Sequence, residues 1–280
     1  MLMPDIRVWC VLGGCVLGGA ALAAGEPAQA GKAKAAAPAP AAMTVADVRA
    51  CMSRNLVDKG AVRDLDVKAT NREGKEHALR MRFLWKPAKN GDARVNLKLV
   101  EPAAMQGSSY LLVQQGRQEE VYFFLPTADR PLRITGQNMA EPLWGTDFSY
   151  GEIKQVLGLL VSGETQRKPD AKVGGRDAYV LETATSLDDT GYTKVVNYVD
   201  QKGCVLLKSE FFAKSGKPRK LLEGDLSTLL TAEAYTLVLG YTMRDLQQGT
   251  RTQVTLSDFS LDERLPERLF DPKRFQEPFE

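Results

Sequence analysis

Residues 119–152 read EEVYFFLPTADRPLRITGQNMAEPLWGTDFSYGE and run a strand, a Pro-bounded turn, a second strand, an aromatic crossing and a helix start together without a break. From Glu119 to Pro126, Val121, Phe123 and Leu125 share one face at period two while Tyr122 and Phe124 take the other, which predicts a strand covered on both sides. Thr127, Ala128, Asp129, Arg130 and Pro131 carry turn chemistry, and Leu132 and Ile134 resume the alternation around Arg133, so a hairpin is expected. Gly145 to Tyr150 then lead into a helix. Ser149 and Glu152 have the spacing of a capping box, Ile153, Val156 and Leu157 follow, and Gly158 supplies a stop.

The pair Leu125-Pro126, the arginines Arg130 and Arg133, and above all GTDFSYGEI at 145–153 resemble the segment that marks outer-membrane lipoprotein-sorting proteins with a LolA/LolB-like fold, a family of bacterial envelope proteins. Thr146 and Gly151 replace the Ser and the acidic residue of that pattern. The likeness extends more loosely from Thr44 to the stretch LFDPKRF at 269–275. It implies an α+β protein: a large curved antiparallel sheet, an incomplete β-barrel, covered on its open side by short helices at Thr44 and Ser149. These motifs are structural rather than catalytic.

The flanking sequence supports a sheet. Thr44 is a good N-cap, Asp47 sits in the first turn, and Val45, Val48, Met52 and Leu56 recur at helical spacing, so an amphipathic helix of about three turns is expected, ending between Asn55 and Gly60. Beyond Val62 the period changes to two. Leu79, Met81, Phe83 and Trp85 alternate with Arg80, Arg82, Leu84 and Lys86; Val95, Leu97 and Leu99 alternate with Arg94, Asn96 and Lys98, across a turn containing Asn90-Gly91. Further strands are expected at Tyr110–Gln114, within Gln155–Thr165, and at Asp177–Thr183, Tyr192–Val199, Val205–Ala213, Tyr235–Met243 and Gln253–Leu261, separated by turn residues such as Gly174-Gly175 and Ser215-Gly216. Leu221–Ala234 reads as a short helix and Pro266–Phe270 as a helical turn. Roughly ten strands with short links favour one antiparallel sheet over two domains.

Composition excludes one class of partner. The chain of 280 residues carries 37 Lys and Arg interspersed with 35 Asp and Glu, which is no nucleic-acid footprint. At the N-terminus, Arg7 precedes an apolar, small-residue run from Val8 to Ala24 that reads as a secretory signal with cleavage near Ala23 or Ala24. Residues 1–24 are therefore expected to be a signal peptide, 25–42 a disordered Ala/Pro-rich leader, and 43–280 the folded domain. Leu12-Gly13-Gly14-Cys15 gives a lipid-anchored alternative through Cys15.

Motif-based catalysis finds little support. His77 is the one histidine and has no flanking nucleophile motif, so an exposed or edge position is expected. The pairs Glu119-Glu120 and Asp188-Asp189 read as solvated turns, and Trp144, Phe148 and Tyr150 as a core cluster. No cofactor or metal set is evident. Cys51 and Cys204 are the thiols left after signal removal, a pair able to cross-link in an oxidising envelope; a buried free thiol at Cys51 is the alternative.

A half-barrel leaves an apolar concavity. The resemblance makes it a site for lipoprotein acyl chains or other lipids, and strands that are apolar on both faces agree with one face lining a cavity. Leu79, Met81, Phe83, Trp85, Val95, Leu97 and Leu99 are the expected lining. The reading is a periplasmic, non-catalytic carrier in outer-membrane lipoprotein sorting or envelope lipid transport, with lipid or lipoprotein acyl chains as partners and an inner-membrane exporter as a further candidate. The alternative is a non-catalytic accessory module of such an exporter.

Overall fold

The computed structural model describes residues 43–56, 59–87, 93–115, 118–231, 235–261 and 264–279. The expected signal and leader, Cys15 and the Asn90-Gly91 turn lie outside the described residues. Alternating apolar positions build the sheet, beginning with β1 (Ala61–Thr70), β2 (Glu76–Pro87), β3 (Ala93–Glu101), β4 (Ser109–Gln115), β5 (Gln118–Phe124) and β6 (Leu132–Ile134). These six form a meander in which each strand pairs antiparallel with the next. A second arm runs through β7 (Glu164–Val173), β8 (Arg176–Ala184), β9 (Lys194–Asp200), β10 (Leu206–Phe212) and β11 (Pro218–Gly224). A small hairpin, β12 (Leu229–Thr231) with β13 (Thr236–Val238), interrupts before β14 (Gly240–Asp245) and β15 (Thr250–Leu261).

Among the described residues, thirteen strands join in one open sheet of order β6-β5-β4-β3-β2-β1-β15-β14-β11-β10-β9-β8-β7. Its central seam is β1 against β15, with Ala61 opposite Leu261 and Thr70 opposite Arg251. The two edges, β6 and β7, are consecutive in the chain. Residues 135–163 join them by crossing the inner face, where Leu143, Trp144, Phe148, Ile153 and Val156 are buried. The stretch with the most mixed sequence pattern is thus the segment that spans the open side of the sheet.

Both faces of the β2–β4 region are covered. The inner core holds Leu79, Met81, Phe83 and Trp85 of β2 together with Val48, Cys51 and Met52 of helix α1 (Val45–Ser53). A smaller cluster on the outer face packs Leu84, Leu111 and Val113 under Leu265, Leu269, Phe270 and Phe275 of the C-terminal segment. Polar anchors hold this strap: Asn96 donates to the carbonyls of Leu269 and Phe275 (2.6 and 2.9 Å), and Lys98 donates to those of Phe275 and Glu277 (2.6 and 2.7 Å). Burial, reinforced by nearby Arg268, lowers the Lys98 ammonium to about 8.

Four local expectations change. Ser149 does not start an α-helix: a five-residue 3₁₀ turn at Ile153–Leu157 forms instead, stopped by Gly158 at φ 79°. Half of the expected box is present, since Glu152 accepts the Ser149 N–H at 2.8 Å, but the remaining capacity of Glu152 goes to Lys220 and Tyr192. The described part of Leu221–Ala234, residues 221–231, is not an α-helix. Its first residues finish β11 in register with β14, and Asp225 accepts the Ser227 N–H to cap a single 3₁₀ turn before β12. In Gln155–Thr165 the strand starts only at Glu164, because the preceding residues belong to the crossing segment. Glu119 and Glu120 lie within β5 rather than in a turn, each held by a cation, Lys154 and Arg133 respectively.

Candidate functional site

The roof of the inner face is α1. Thr44 accepts the Asp47 N–H while Asp47 accepts the Thr44 N–H, a complete capping box, and the Thr44 hydroxyl and then its N–H, both donating to the Asp47 carboxylate, lower it below its ordinary range. Helical spacing turns Val48, Cys51 and Met52 inward together. The C-terminal end of the helix is the better anchored. Asn55 donates to the carbonyls of Gly203 and Cys204 (2.6 and 3.1 Å) and accepts the Thr236 N–H (2.7 Å). Cys51 and Cys204 are joined in a disulfide, Cα–Cα 5.6 Å. Nearer the N-terminal end, Arg49 donates to the Thr165 hydroxyl at 2.7 Å.

Beneath this roof lies a small apolar cavity of about 70 Å³, with Met52, Phe83, Trp85, Val156, Tyr241 and Leu256 in its wall. On the other side of α1, between the helix and residues 158–165, is a cleft of about 700 Å³. Met52, Leu56 and Gly158 belong to the walls of both. A thin partition of two flexible side chains and a glycine therefore separates cavity from cleft. Val161 and Ser162 continue the cleft into a third pocket of about 320 Å³, with Glu119, Arg133, Glu152, Lys154 and Tyr192 in its wall.

The polar end is organised by the crossing segment. Asp147 accepts the hydroxyls of Thr250 and Thr252, fastening that segment to β15, and Lys220 donates to the Asp147 carbonyl at 2.7 Å. Glu152 receives Lys220 at 2.9 Å and the Tyr192 hydroxyl. Burial, with Glu152 beside it, pushes the Tyr192 hydroxyl far above its usual range, so it stays a protonated donor. Lys154 pairs with Glu119, which also accepts the Ser162 hydroxyl at 3.0 Å. The GTDFSYGEI run is thus an anchoring motif whose two acids bind the crossing segment to the sheet, Asp147 to β15 and Glu152 to the second arm.

Of the residues expected from sequence to line a cavity, Phe83 and Trp85 do so. Leu79, Met81, Val95, Leu97 and Leu99, each at most 3% exposed, are packed in the inner core and border none of these spaces. Met52, Leu56, Val156 and Tyr241 were not expected in the lining; the helical spacing of Met52 and Leu56 shows an apolar stripe but not what it faces. Trp144 and Phe148 are buried, and Tyr150 and Trp144 pack on Phe123 with ring centroids 5.0 and 5.8 Å away. His77 is exposed on β2. Among the described residues no cluster of His, Cys, Asp and Glu is arranged to hold a metal ion, and no helix is long and apolar enough to cross a membrane.

An open antiparallel sheet curved around an apolar space, with a helix and a crossing segment over its open side, is the LolA/LolB-like fold. The chain belongs to a protein family described as "Uncharacterized protein", whose model matches residues 91–277. A domain described as an outer membrane lipoprotein-sorting protein from Vibrio parahaemolyticus shares the fold at TM-score 0.70 and 22% identity, over 81% of this chain and 96% of that one. A DUF1329 family protein from Desulfovibrio piger follows at 0.69 and 19%, over 80% and 95%. A LolA superfamily protein from Nitrosomonas europaea superposes at 0.63 and 20%, over 82% and 98%. At these identities the likeness is one of fold. No curated protein sequence matches the chain.

Proposed function

We propose that the protein is a periplasmic carrier or binding protein for lipoprotein acyl chains or other lipids, acting in outer-membrane lipoprotein sorting or envelope lipid transport without catalysis. The observation that carries this reading is the partition of Met52, Leu56 and Gly158 between an apolar cavity and a cleft ten times larger. At about 70 Å³ the cavity is small beside the cleft, so an acyl chain that filled both would have to displace this partition. Met52 is suited to that, because an unbranched thioether changes rotamer cheaply and repacks against irregular apolar shapes. The names of the fold relatives, lipoprotein-sorting and LolA superfamily, agree with such a cargo.

The test follows Trp85, which lines the cavity, in a Trp144→Phe background. Adding a fatty acid or an acylated peptide should shift its emission, and Leu56→Glu, at a half-buried position on the partition, should weaken binding at least about tenfold by placing a charge in the acyl path. Thermal unfolding of the Leu56→Glu variant should stay near that of the parent. Leu97→Glu should instead unfold the protein, since Leu97 is fully enclosed by core. Wild-type protein that binds no acyl chain, and yields none on organic extraction of material from the native envelope, would overturn the carrier in favour of an accessory module of an exporter.

A further inference from the structure

The third pocket holds groups that an acyl-chain site does not require. Its wall contains two carboxylates, Glu119 and Glu152, and two cations, Arg133 and Lys154, among apolar neighbours including Ile134, Met139, Val161 and Phe211. The Lys154 side chain is 5% exposed and that of Glu119 18%. Burying an ion pair costs desolvation energy that its own attraction rarely returns in full, so an apolar wall would serve stability as well. The two carboxylates differ in access: each accepts three hydrogen bonds of the roughly four it could take, but the Glu152 side chain is 4% exposed and that of Glu119 18%. Arg133, 54% exposed with five donors, pairs only with Glu120 among the described residues. One pocket thus offers an acceptor of negative charge and a set of donors of positive charge, both with capacity to spare.

We propose that this pocket is a head-group subsite for a zwitterion, an ammonium and a phosphate a few bonds apart, with the ammonium at Glu119 and the phosphate at Arg133. The lining has no net formal charge. A simple anion placed there would gain Arg133 but face Glu119, and a simple cation would gain Glu119 but face Arg133 and Lys154. A group carrying both charges satisfies both walls, with charge-assisted hydrogen bonds on each. Val161 and Ser162, shared with the cleft, put the pocket where the polar end of an amphiphile would lie once its chain occupied the cleft. In that respect the subsite rests on the carrier reading, while the recognition of the head group stands on the pocket itself.

The experiment measures calorimetric affinities of the full chain for lysophosphatidylethanolamine and lysophosphatidylglycerol of one acyl length, below their micelle concentrations, and for soluble O-phosphoethanolamine. The ethanolamine lysolipid is expected to bind about tenfold tighter than the glycerol one. Arg133→Gln, at an exposed position whose loss leaves the fold intact by its melting temperature, should weaken both lysolipids about tenfold because both carry the phosphate, whereas Glu119→Gln, checked for folding in the same way, should bring the two within about twofold. Equal affinities in the wild type, a preference that survives Glu119→Gln in the folded variant, or affinities untouched by Arg133→Gln would overturn the subsite. If neither lysolipid binds, the carrier reading fails, and O-phosphoethanolamine then decides the subsite alone: binding that Arg133→Gln abolishes sustains it, and no binding overturns it. Soluble head group bound as tightly as the lysolipid would identify the ligand as the free zwitterion.

Discussion

Glu152 receives the Ser149 N–H, the Lys220 ammonium and the Tyr192 hydroxyl, so three segments meet at one carboxylate that is 3% exposed. Glu152→Ala leaves Lys220 buried without its counter-ion, and should cost about 3–5 kcal/mol in chemical denaturation. Ser149→Ala should cost well under the roughly 1 kcal/mol of a lost N-cap, because the backbone N–H of Ser149, rather than its hydroxyl, makes the contact. Similar costs for the two variants would show that Glu152 is not the centre of this junction. Asp64 presents a different balance. Its carboxylate accepts Arg82 at 2.8 and 3.0 Å and Arg80 at 3.3 Å, and the Arg82 hydrogen bonds outweigh burial to hold it below the ordinary carboxylate range. A carboxyl lowered on folding contributes stability above its unfolded value, about 3.9, and loses it as pH falls through the folded one. Stability should therefore decline below about pH 4, and Asp64→Asn should be less stable at neutral pH with a shallower acid limb; an unchanged slope would remove Asp64 from the account.

At the level of elements, α1 is joined to the turn before β10 by a bridge spanning 153 residues of sequence. A cross-link over so long a loop removes much freedom from the unfolded chain, and replacing Cys51 and Cys204 together by Ala should cost about 2–5 kcal/mol. The measurement is the denaturation midpoint with and without reductant: wild type should fall toward the double variant on reduction, and a midpoint insensitive to both would mean the bridge contributes nothing. The helix itself was legible because Thr44 and Asp47 are three residues apart and the apolar residues keep helical spacing. Hairpins were legible from period two and turn residues. The Ser149 region was not, since the box pattern is local while the partners of Glu152, Lys220 and Tyr192, lie far along the chain. The cavity lining was legible only at Phe83 and Trp85. Packed core and cavity wall demand the same apolar residues on a strand face, and what distinguishes them is the element overhead: Ala61 and Arg63, paired with Trp85 and Phe83, also border the cavity under α1, whereas Leu79 and Met81 lie farther along the strand.

At the level of the whole molecule, the order of strands was hidden for a related reason. Short links predicted a meander, and the two arms are meanders, but nothing local announces that β15 inserts beside β1. That pairing joins Ala61 to Leu261 and makes the sheet continuous through its middle rather than around its rim. It also sets the timing of folding. As the chain is made, each arm can assemble hairpin by hairpin, yet the arms acquire a common register only when residues 250–261 arrive. Until then β1 and β14 are open edges facing each other, competent to accept a strand and unable to close the apolar trough. The last strand of the sheet therefore acts as a completeness check: a product truncated before it carries two unpaired edges, each a template for pairing with another chain.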